Sequence, residues 1–125
     1  MTKVTSKEIA NFRTQLADDE TALEALDLIE DCEGDLEDAA MTLAIKAGQQ
    51  PESANSIWLD ALARQWRTII CEPQFREEME KDSIRGMMAY LKSTRDFPPT
   101  LATPVLLYVL KQGVNDFCSS LDSIK

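Results

Sequence analysis

Eleven acidic side chains and no basic one lie between Asp18 and Asp38, the densest run of potentially reactive groups in this 125-residue chain. Carboxylates at such density could hold a cation, share a proton, or present a charged face to a partner. An EF-hand loop needs acids at positions one, three and five and Gly at six. With Gly34 sixth, position one falls on Ile29, which offers no oxygen; starting at Asp31 supplies Asp31, Glu33 and Asp35 but places Leu36 sixth. The spacing therefore argues against calcium, and no metal or cofactor is expected. Histidine is absent altogether, which removes the commonest general base and the commonest metal ligand. No P-loop, dinucleotide fingerprint, nucleophile elbow or zinc spacing is present. An enzyme is disfavoured, and the acids read either as a solvated face or as a docking surface.

The charge is concentrated at one end. Residues 1–50 hold four basic and twelve acidic groups, a net of −8, and residues 51–125 hold nine and ten, a net of −1. An acidic surface repels phosphate, so direct nucleic-acid binding is not expected of the first half, and no membrane partner is expected. The fitting partner is another protein with a basic surface, met through Glu30, Asp31, Glu33, Asp35, Glu37 and Asp38. Arg64, Arg67, Arg76 and Arg85 offer an intramolecular alternative, by facing the acidic helices themselves. A second docking candidate is "IRGMMAYLKSTR", where Met87, Met88 and Tyr90 stand among Arg85, Lys92 and Arg95. Methionine adapts to irregular partner surfaces, and adjacent helical residues cannot share one direction, so one of the two methionines is expected to be partly exposed. Trp58 and Trp66, eight residues apart, suit either a core or a small-ligand pocket. The alternative function is thus a helical ligand-binding regulator with a pocket at these rings.

The elements that position these residues are helical. Thr5 and Glu8 have capping-box spacing, with Ile9, Phe12 and Leu16 as the apolar face behind them. Asp18 or Asp19 can cap a second helix, in which Ala22, Leu26, Ile29 and Cys32 share a face. Gly34 falls where the chain must turn left-handed, which only Gly does without penalty. Asp35 then caps a third helix with Glu37 and Asp38 in its first turn, and Gly48 stops it.

The stretch "ALEALDLIEDCEGDLEDAAMTLAIKAG" resembles the ubiquitin-associated (UBA)-like modules, especially the N-terminal domain of translation elongation factor Ts. The matching positions are Ala25, Leu26, Gly34, Asp35, Glu37, Ala39, Leu43, Lys46 and Gly48, within residues 5–48. The resemblance implies a three-helix fold. The Gly/Met-rich loop with which those families grip ubiquitin or the partner factor is replaced here by "LADDE".

Beyond the polar connector "QQPESANS", periodicity predicts one helix over 54–71, then one kinked or two short helices between Pro73 and Thr94. "DFPPTLATP" is a break, Thr103-Pro104 suits a cap and first helical position, and Val105 to Leu121 reads as a helix that Gly113 bends or divides. The fold class is all-α with six or seven helices. Residues 1–50 form an acidic three-helix subdomain packed closely on a helical portion, 51–125, with a Trp/Met/Leu core. No spanning segment or export signal is visible, so a soluble cytoplasmic protein is expected. The odd count of three cysteines, Cys32, Cys71 and Cys118, then argues for reduced thiols.

Overall fold

The computed structural model describes residues 2–49 and 55–122. Nine α-helices occur among the described residues: α1 (Ser6–Gln15), α2 (Glu20–Asp31), α3 (Leu36–Lys46), α4 (Asn55–Gln65), α5 (Arg67–Ile70), α6 (Pro73–Glu80), α7 (Arg85–Ser93), α8 (Ala102–Gln112) and α9 (Val114–Asp122). A 3-10 turn, Pro99–Leu101, leads into α8. The all-α expectation holds, and no strand occurs among the described residues; the count exceeds six or seven because two expected helices divide. The first divides at Trp66, whose backbone relaxes to φ −106° and ψ 15°. Its amide bonds back only to Ala63 O, while its ring meets Phe97 edge-on at 5.2 Å. Tertiary packing there overrides local helix propensity. The second divides at Gly113, where φ is +95°. Pro73 opens α6 as expected, whereas Thr103 and Pro104 lie inside the first turn of α8 and do not begin it. Pro51 lies outside the described residues.

Local chemistry fixes the first three helices. Thr5 and Glu8 form a reciprocal capping box at α1. Asp19 caps α2 by accepting from the Ala22 amide at 3.1 Å. Glu33 (φ +58°) and Gly34 (φ +84°) both take the left-handed region, and the Gly34 amide donates to Ile29 O at 2.8 Å. Asp35 then caps α3 through the Asp38 amide. A feature without a sequence signal completes this corner. The extended segment before α1 lies against the α2–α3 turn as an isolated antiparallel bridge, Lys3 to Asp35. Val4 N donates to Gly34 O and Leu36 N to Thr2 O, each at 2.9 Å. Glu37 then accepts from both the amide and the hydroxyl of Thr2, at 2.7 Å each.

Helix α8 is the centre of the molecule. Every residue from Ala102 to Val109 is buried, as its all-round apolar sequence requires. It packs against α2, α3, α4, α7 and α9, so one continuous core joins 2–49 to the other described residues. Polar ties cross the same boundary. Gln15 donates to Asp82 O at 2.7 Å and accepts from the Ile84 amide, and within the second part Tyr108 donates to Asp60 at 2.5 Å. No helix among the described residues is long and apolar enough to cross a membrane.

The cysteines depart from expectation. Cys71, at the end of α5, and Cys118, in α9, are joined by a disulfide across 47 residues, with Cα atoms 5.9 Å apart. Only Cys32 is free. The bond follows from α9 folding back onto α5, a long-range contact that thiol counting does not report.

Candidate interaction surface

The acidic surface is built by α2. Its apolar stripe of Ala22, Ala25, Leu26 and Ile29 turns inward. That leaves Glu20, Glu24, Asp27 and Asp31, at i, i+4, i+7 and i+11, exposed on the opposite side. Glu33 extends the row from the turn, and Asp38 is exposed on α3. Glu20, Glu24 and Asp27 were not among the expected site residues, although the reverse face of the same helical periodicity points to them.

Two expected members leave the surface. Asp35 and Glu37 are 4% and 5% exposed. Asp35 is consumed as a helix cap and Glu37 as the acceptor for Thr2, so neither can meet a partner. The methionine patch is corrected in the same way. Met87 and Met88 are 1% and 2% exposed, because α7 packs against α8 on one side and α5 and α6 on others, covering both directions. Tyr90 is exposed at the edge of α7 and lies against Phe75, with ring centroids 5.2 Å apart.

Cations from three other places neutralise part of the acidic half. Arg13 bridges Asp27 at 2.6 Å and Glu30 at 3.1 Å. Lys92 on α7 reaches Asp19 at 2.7 Å, and Lys111 on α8 reaches Glu8 at 3.1 Å. Arg64, expected to face these helices, pairs with Asp60 on its own helix. Asp18, Glu20, Glu24, Asp31 and Glu33 have no cation partner among the described residues.

The titratable groups follow these contacts. Burial would raise the Asp19 carboxyl, but the hydrogen bonds from Lys92 and the Ala22 amide outweigh it and hold the group below its ordinary value. Glu8 is lowered in the same way: burial opposes ionisation, and the Thr5 amide and Lys111 overcome it. Arg13 is raised by its hydrogen bond to Asp27. Burial, then the charges of Asp38, Asp35 and Asp31, push the Cys32 thiol up, the reverse of what a nucleophile needs. Burial and the hydrogen bond to Asp60 push Tyr108 up to about 12.

An open groove of about 740 Å³ runs between the start of α2 and α7, floored by Leu16, Met88 and Ala89. Smaller hollows of about 410 and 80 Å³ lie beside Gly113 and beside Lys111. Neither Trp58 nor Trp66 lines any of the three. Both rings are half-buried against the core, and Trp66 Nε1 is buried without a hydrogen-bond partner among the described residues. Among the described residues, no three Asp, Glu or Cys side chains converge as ligands for a metal ion. Comparison with protein-family models, with curated proteins and with solved structures returns no match.

Proposed function

We propose that this chain is a non-catalytic interaction protein whose N-terminal unit, a UBA-like three-helix arrangement, docks a basic partner protein on the outer row of α2. The observation that carries this reading is the uncompensated stripe Glu20, Glu24 and Asp31, extended by Glu33, in a fold that has already paired Asp19, Asp27 and Glu30. Glu30 and Asp38 flank the stripe and complete the surface. A single exposed pair at 4 Å gains only about 1 kcal/mol in water, so recognition needs several charges acting together. Such a surface accelerates encounter and selects partner sign more than it supplies raw affinity.

The test compares the native chain with Glu20→Lys/Glu24→Lys/Asp31→Lys, each used for capture from the native cell with salt-graded elution. Circular dichroism verifies that the variant folds. The reading expects a basic protein retained by the native chain, eluting as salt rises, and lost from the variant. Equal retention by both, or no specific partner even at low salt, would overturn it.

A further inference from the structure

The open groove between the start of α2 and α7 carries unpaired charge of both signs. Asp18 and Glu20 stand on one wall and Arg85 on the other, all three exposed and without an ion-pair partner among the described residues. Arg85, Met88, Ala89 and Lys92 fall at i, i+3, i+4 and i+7, so a single face of α7 supplies its wall. Between the walls the floor is apolar, formed by Leu16, Met88 and Ala89. Both walls are held in place. Gln15 ties the end of α1 to Asp82 O and to the Ile84 amide, just before α7, and Lys92 ties α7 to Asp19 at 2.7 Å. The groove therefore stands formed before anything enters it, and entry costs little ordering of the chain.

We propose that this groove seats a short amphipathic helix of the basic partner, with lysine or arginine against Asp18 and Glu20, an aliphatic side chain on the floor, and a carboxylate at Arg85. The inference rests on the docking role of the α2 stripe and names what the partner brings to it. Glu20 belongs to both features, so the groove continues the stripe at the start of α2. Asp19 adds no free charge, because Lys92 already holds it. A helix fits better than an extended segment, since neither wall offers a strand edge for main-chain hydrogen bonds. A volume of about 740 Å³ takes roughly one to two turns of a helix about 10–12 Å across. That is room for one aliphatic anchor and the charges beside it. Opposite signs on the two walls fix which way round the helix lies, because a reversed segment meets like charge at both.

Titration of the whole isotope-labelled chain with synthetic peptides, read by backbone amide shifts in nuclear magnetic resonance, tests the groove. One peptide arranges Lys, Leu and Glu as an amphipathic helix, with Lys and Glu on opposite flanks of the Leu row. A second scrambles the same composition, and a third carries Lys and Ser alone. The first should shift amides in 15–21 and 85–93 as well as those of the stripe, and should bind at least tenfold tighter than the second. Ala89→Gln, which raises the floor at an exposed helical position, should remove that advantage and leave binding of the third unchanged. Exchanging Glu for Gln in the first peptide should weaken it on the native chain and not on Arg85→Gln. Shifts confined to 24–33 with all three peptides would overturn the groove and leave the stripe reading standing. So would equal affinity of the first two peptides, or an advantage that survives Ala89→Gln. Binding of none of the three would overturn both.

Discussion

Gly34 carries two demands that separate cleanly from those on Gly48. Both adopt a left-handed φ, +84° and +83°. A Cβ at Gly48 would meet nothing within 4 Å, whereas one at Gly34 would run into the carbonyl of Val4. Gly48→Ala should therefore cost only the backbone penalty, about 1–2 kcal/mol. Gly34→Ala should cost that and more, because the Thr2–Val4 segment must lift and both Val4 N–H···O=C Gly34 and the Thr2–Glu37 contacts depend on it. Urea unfolding of the two variants measures the difference, and equal losses would show that the close approach contributes nothing. Half of this was legible beforehand. A glycine between two capped helices announces a left-handed turn, but nothing in residues 2–4 announces that they will lie across it. The same missing contact explains why Asp35 and Glu37 looked like surface acids. A buried carboxylate and an exposed one have the same letter, and only the partner tells them apart.

At the scale of elements, the packing of α7 and α8 onto the acidic half is signed by two ion pairs, Lys92–Asp19 and Lys111–Glu8. Both carboxyls sit below their ordinary values of 3.8 and 4.5. A lowered folded pKa means that the unfolded chain binds the proton more readily. The stability these pairs add is thus fully present above the ordinary values and is lost as pH falls through the lowered ones. Thermal melts between pH 6 and pH 2, compared in the native chain and in Lys92→Met/Lys111→Met, should converge on acidification. The native chain should lead by no more than about 2 kcal/mol at the upper end, since partly exposed pairs are each worth up to about 1 kcal/mol. A gap that persists unchanged at the acid end would assign the effect to lost side-chain packing instead. Element boundaries were readable from a cap or a proline at Thr5, Asp19, Asp35 and Pro73, but not at Thr103-Pro104, which the helix overruns. The break at Trp66 was not readable either. Its cause, the Phe97 ring 31 residues later, is invisible to periodicity. Met87 and Met88 failed for a related reason: a helix clasped on several sides buries directions that a two-layer picture leaves open.

For the molecule as a whole, net charge sets a balance that salt can tip. The chain carries −9, of which −8 lies in residues 1–50, and folding holds the acids of α2 on one narrow stripe. Like charges at helical i, i+4 spacing each cost about 0.2–0.5 kcal/mol, and Glu20 with Glu24 and Asp27 with Asp31 are such pairs. The unfolded chain spreads these groups apart, so repulsion favours unfolding. Against it stand the bridges of Arg13, Lys92 and Lys111, which salt also weakens. With a net charge of −8 in residues 1–50, repulsion outlasts the bridges at long range, and screening shortens that range from about 30 Å at 0.01 M salt to about 8 Å at 0.15 M. Added sodium chloride should therefore raise the melting temperature over that interval. The rise should be smaller in Glu20→Lys/Glu24→Lys/Asp31→Lys, where the stripe no longer repels itself. The docking proposed for the same stripe should move the other way, weakening as the same screening removes its attraction. One surface with opposite salt responses in stability and in association is the signature of charge held ready for a partner, and a melting temperature that falls with salt would mean that the internal bridges had already used it.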